Sequence, residues 1–80
     1  MSADYFLDIT ADVCPLTFVR TKLRVERMAP GETLEVRLND GEPLENVPRS
    51  LIELGHSIVG PEPENPSASG KTYRLWVTKS

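Results

Sequence analysis

The chain has 80 residues, 39% of them hydrophobic and 26% charged, which suffices for one small core and leaves no room for two. Twelve acidic side chains against nine basic ones give a net charge of −3, which argues against direct nucleic-acid binding and against adhesion to anionic membranes. No apolar run approaches the ~18 residues of a membrane span, and Met1-Ser2-Ala3-Asp4 has no secretion-type pattern, so a cytoplasmic protein is expected.

Tyr5 to Ile9 alternates, with Tyr5, Leu7 and Ile9 on one side and Phe6 and Asp8 on the other, and reads as a short strand. Thr10 to Val13 reads as a loop. Pro15 suits the first position of a helix, where its missing N–H costs nothing. That helix is predicted to run to Ala29 and to stop at Pro30-Gly31. Its apolar residues form two stripes: Leu16, Val19 and Leu23 in one, Phe18, Val25 and Met28 in the other. Periodicity does not decide which stripe meets the core.

Thr33 to Leu38 alternates cleanly, with Leu34, Val36 and Leu38 facing one side, and predicts a strand with one wet face. Asn39-Asp40-Gly41 is a turn. Pro43 to Leu54 reads as a second helix, with Leu44, Val47, Leu51 and Leu54 on one side; Pro48 is expected to irregularise its first turn, and Gly55 to end it. His56 to Gly60 is a third strand. Pro61 to Gly70, with three prolines and no strong hydrophobe, is expected to be a mobile loop within a single domain spanning 1–80. Thr72 to Thr78 is a fourth strand with Tyr73, Leu75 and Val77 inward. The predicted fold is α+β: a two-layer sandwich in the order β-α-β-α-β-β, with both helices on one face of a four-stranded mixed sheet.

The chemical inventory is small. One cysteine, Cys14, excludes an internal disulfide and a paired redox motif. One histidine, His56, leaves too few ligands for a structural zinc site. No metal or organic cofactor is implied. Cys14-Pro15 falls where a loop becomes a helix. Unpaired amides and the helix dipole favour a thiolate there, and cysteines so placed can fall from a pKa of ~8.5 towards ~3.5–7.5. The competing reading is a cysteine that serves as a small buried hydrophobe.

Leu7-Asp8, Cys14-Pro15, the helix ending Met28-Ala29-Pro30-Gly31-Glu32, the strand Leu34-Glu35-Val36, Asn46-Val47-Pro48 and Gly55-His56 together resemble the TusA/SirA-type sulfur-carrier family. The resemblance covers the chain from Leu7 to the last strand and implies the same β-α-β-α-β-β sandwich. It also implies a persulfide relay. Cys14 would accept a sulfane sulfur from a donor protein, of the cysteine desulfurase or rhodanese type, and pass it to an acceptor protein, with Pro15 shaping the site. The family usually reads Cys-Pro-x-Pro where this chain has Cys14-Pro15-Leu16-Thr17, and has Gly where this chain has Ala11.

Arg20, Arg24 and Arg27 fall on one arc of the first helix, either as a docking stripe for an acidic partner or as a solvated face. Phe6, Val59 and Trp76 should share the outer sheet face, as a partner or dimer contact or as covered side chains. Asp8 and Asp12 read as a wet-face and a loop residue, and His56 as structural. A monomer or weak dimer is expected. The rivals to a sulfur carrier are a non-catalytic regulatory or interaction module that keeps the fold, and a redox-sensing thiol.

Overall fold

A computed structural model describes residues 3–13, 16–64 and 72–80. The elements are β1 (Tyr5–Asp8), α1 (Leu16–Glu26), β2 (Thr33–Asn39), α2 (Glu42–Glu53), β3 (Ser57–Pro63) and β4 (Thr72–Thr78). The sheet order is β1-β2-β4-β3. β1 and β2 are parallel, joined by the crossover helix α1 that a parallel pair requires, and the other two pairings are antiparallel.

One face of the sheet is buried. Leu34, Val36 and Leu38 of β2 and Leu75 and Val77 of β4 are fully enclosed, together with Ile9, with Val25 and Met28 from α1 and its end, and with Val47 and Leu51 from α2. Both helices therefore lie on that face, as the alternating strands predict. Each such side chain contributes about 1.5–3 kcal/mol relative to exposure.

Helix α1 resolves the choice between its two stripes. Thr17, Thr21 and Val25 form its buried line, with Met28 beyond it and Phe18 packed against the core. Leu16, Val19 and Leu23 face outward, 52%, 40% and 53% exposed. Threonine suits the buried line because its hydroxyl can be answered within the helix: Thr21 Oγ1 donates to the Thr17 carbonyl at 2.8 Å.

The Pro30-Gly31-Glu32 turn after α1 is held by a carboxylate and a lysine. Glu32 Oε1 accepts the Ala29 amide at 2.7 Å, and its Oε2 accepts the Tyr5 hydroxyl at 3.1 Å. Lys79 Nζ donates to the Met28 and Glu26 carbonyls at 2.6 and 3.0 Å, which places a cation at the negative end of the helix.

Helix α2 runs unbroken through Pro48. The sequence predicted an irregular first turn, but burial of Val47, Pro48 and Leu51 on the core face offsets the one lost backbone bond. Its end is a Schellman motif: Gly55 N donates to Ile52 O at 2.9 Å and His56 N to Leu51 O at 3.2 Å, with Gly55 at φ +94°. Leu54, placed by periodicity on the inner stripe, is exposed because it caps the helix after the last inward turn.

Strand β3 continues past Gly60, where the sequence predicted the mobile loop to begin. A register shift between Val59 and Glu62 absorbs an irregularity, after which Glu62 pairs with Arg74 and Pro63 with Tyr73. Prolines are tolerated because β3 is an edge strand. Positions 65–70 of the expected loop lie outside the described residues.

Candidate functional site

Cys14 and Pro15 lie outside the described residues, between two segments that the structure describes. The approach loop is tied down from both sides. Asp8 Oδ1 accepts the Thr10 amide at 2.8 Å and the Thr10 hydroxyl at 2.6 Å, turning the chain out of β1. Asn39 Nδ2, at the end of β2, donates to the Thr10 carbonyl at 2.7 Å. The Asp12 amide donates to Ile9 O at 3.1 Å. Beyond the Cys-Pro step, the Leu16 and Thr17 amides both donate to the Val13 carbonyl, at 2.8 and 3.4 Å. The Thr17 bond is one that the usual family proline could not make, since proline has no N–H.

The three arginines singled out from the sequence line a single groove. Arg20, Arg24 and Arg27 rim it, with Leu7 of β1 and Leu23 of α1 as its apolar part. Arg20 is ion-paired to Asp12. The Arg24 guanidinium lies 4.1 Å from the centroid of the Tyr5 ring, a cation–π contact. The Glu32 hydrogen bond, then its charge, pushes the Tyr5 phenol above its ordinary pKa. Among the described residues, neither Arg24 nor Arg27 is paired with a carboxylate.

Phe6, Trp76 and Val59 do share the outer face, in one row across all four strands: Phe6 pairs with Glu35, Glu35 with Trp76, and Trp76 with Val59. They are not a bare apolar patch. Trp76 Nε1 donates to Glu35 at 3.3 Å, and the Arg74 guanidinium sits 5.7 Å from the Phe6 ring centroid. The adjacent row holds Asp8, Arg37, Arg74 and Glu62. Glu64 accepts from both arginines, while Glu35 pairs with Arg74 and Asp8 with Arg37. Phe6 and Val59 remain 54% and 44% exposed.

His56 is placed at the other end of its strand system, where Nδ1 accepts the Ser80 amide at 3.3 Å. Asp8 and Asp12 are engaged by Arg37 and Arg20. Thr21 and Glu64 were not singled out from the sequence, and Thr17 stood out there only as the residue that replaces the usual family proline, not as part of the buried line of α1. Glu64 falls inside the stretch Pro61 to Gly70, which reads as loop until strand register is known.

An α+β sandwich whose crossover helix begins immediately after a lone Cys-Pro step is the class of protein defined here. Residues 5–79 match the family model of the sulfurtransferase TusA, and the chain belongs to that family. A protein of Archaeoglobus fulgidus is 40% identical over 62 residues, covering 78% of this chain and 70% of its own. The sulfur carrier protein TusA of Pseudomonas aeruginosa is 31% identical over 78 residues, 98% of this chain and 92% of its own. The crystal structure of a SirA-like protein from Desulfitobacterium hafniense shares the fold, with a TM-score of 0.69 at 16% identity over 92% of this chain and 95% of that one.

Proposed function

We propose that this protein is a sulfur carrier that holds a sulfane sulfur as a persulfide on Cys14. The observation that carries this reading is the family match over 5–79 in a chain whose only thiol sits at the Cys-Pro step. In the first step the Cys14 thiolate attacks the outer sulfur of a donor protein's cysteine persulfide. The donor S–S bond breaks, the donor cysteine leaves as thiolate, and Cys14–S–SH is formed with no net oxidation. In the second step an acceptor thiolate attacks that outer sulfur and Cys14 departs. A low cysteine pKa favours that departure. The donor is a cysteine desulfurase or rhodanese-type protein, and the setting is the cytoplasm, where a lone thiol stays unpaired. Pro15 shapes the backbone at the sulfur, and Arg20 and Arg24 on α1, with Arg27 just past its end, supply the surface that partners approach.

Incubation with a cysteine desulfurase and free cysteine, followed by intact mass measurement, tests the reading. One added sulfur atom on Cys14, removed by reductant and absent in Cys14→Ser, is expected; no added sulfur overturns it. His56→Ala should load normally. The alternative, a non-catalytic module binding through Phe6, Val59 and Trp76, requires Cys14→Ser to keep full function.

A further inference from the structure

We infer that the groove between α1 and β1 receives a short acidic segment of a protein partner, with carboxylates flanking an aliphatic side chain. This deepens the carrier reading and rests on it.

Charge is segregated in this chain. Arg20, Lys22, Arg24 and Arg27 fall within eight consecutive residues in which Glu26 is the one acid, in a protein whose net charge is −3. Three of these cations converge on one groove. Its other lining residues, Leu7 and Leu23, are apolar, so the groove offers cationic rims around a hydrophobic contact. A phosphate backbone would engage the rims and leave the leucines wet. An acidic peptide with an aliphatic residue satisfies both.

The rims are pre-organised. Asp12 holds Arg20, and the Tyr5 ring backs Arg24, with the ring itself anchored by Glu32. Fixed guanidinium forks suit bidentate carboxylate recognition and lose less freedom on binding. Arg24 and Arg27 have no carboxylate partner among the described residues, so they are available to a ligand. The helix also presents Leu16, Val19 and Leu23 to solvent, a line that a bound partner would cover.

Geometry sets the size of the occupant. Arg20 on α1 and Arg27 in the turn just past its end are seven residues apart, or about 10 Å at the helical rise of 1.5 Å per residue. An extended segment covers that distance in roughly three residues. The occupant is thus a stretch such as Glu-Leu-Glu or Asp-Leu-Glu within a longer partner.

The test is a nitrogen-15 NMR titration of the full chain with the peptide acetyl-Gly-Glu-Leu-Glu-Gly-amide. Shifts are expected at the amides of Leu7, Leu23, Arg24 and Arg27, with affinity falling at least about tenfold in Arg24→Glu/Arg27→Glu and markedly at high salt. Arg27→Glu alone guards against loss of the Tyr5 contact and should weaken binding at unchanged thermal stability. Equal binding of acetyl-Gly-Gln-Leu-Gln-Gly-amide, no shifts at millimolar peptide, or shifts produced only by a short RNA overturns the proposal. Sulfur loading of Cys14 without peptide binding rejects the groove and leaves the carrier; peptide binding without loading does the reverse.

Discussion

Glu64 accepts two hydrogen bonds from Arg37, at 2.7 Å from Nε and 3.2 Å from Nη2, although the residues are 27 positions apart. The contact ties the end of β3 to β2 across the intervening β4. It also answers a local conflict. Arg37 and Arg74 stand directly opposite each other on β2 and β4, and like charges so placed repel. Glu64 Oε2 accepts from the Nε of both, at 2.7 and 3.0 Å. Glu64→Gln should lower Tm more than Glu53→Gln, a change at an exposed carboxylate with no described ion pair, as differential scanning calorimetry can measure.

Acid should erode the same network. Hydrogen bonds from Arg37, then Arg74, hold Glu64 below the ordinary glutamate range, and those from Thr10, then Arg37, do so for Asp8. A carboxylate with a depressed folded pKa stabilises the fold fully above its unfolded value. That contribution is lost as pH falls through the folded value. Tm should therefore decline as pH drops below about 4. The decline should be shallower in Asp8→Asn/Glu64→Gln, and the wild-type advantage should shrink in about 0.5 M salt. An identical acid slope in the variant would remove these carboxylates from the account.

Two stripes on α1 make opposite claims about the core. Val25→Ala should cost roughly 1–3 kcal/mol in urea denaturation because Val25 is fully buried. Leu23→Ser, at a side chain more than half exposed, should change stability by no more than about 0.5 kcal/mol. A reversed order would mean that α1 packs through its other side.

Two glycines with positive φ separate backbone preference from crowding. An added Cβ at Gly31 meets nothing within 4 Å, whereas at Gly60 it lies 3.2 Å from the Arg74 carbonyl and from the Glu62 amide nitrogen. Both alanine variants should be destabilised, Gly31→Ala by about 1 kcal/mol and Gly60→Ala by more, as chemical denaturation would measure.

The buried hydroxyl of Thr21 returns only to its own helix, to a carbonyl that the backbone ladder already uses. Thr21→Val keeps the branched shape and should be neutral or stabilising by up to about 1 kcal/mol. A loss larger than that would assign the hydroxyl a structural role.

Strands β2 and β4 and helix α2 were legible in the sequence because each buries one face, so Leu34, Val36 and Leu38 declare their side by alternation alone. The inner line of α1 was not legible. Thr17 and Thr21 score as polar, yet their methyl groups pack and the Thr21 hydroxyl is satisfied locally, while leucines occupy the outside. The course of β3 beyond Gly60 was hidden by prolines, which mark a loop unless the strand is at an edge. Cys14 stood out as a candidate nucleophile from its place where a loop becomes a helix, and the resemblance carried by Cys14-Pro15 and its neighbours added the persulfide role. The groove was only half visible: spacing placed three arginines on one arc, but the pairing of Arg24 with Tyr5 and the proximity of Leu7 depend on chain segments far apart in sequence.

The two margins of the sheet also bear on behaviour at high concentration. The β3 margin carries Pro61 and Pro63, which offer no amide hydrogen to an incoming chain, and the β1 margin is only four residues long. Neither is a template for ordered fibril growth. Overloaded or partly denatured samples should precipitate as amorphous material that stays dark to amyloid dyes, with the outward leucines of α1 as the adhesive.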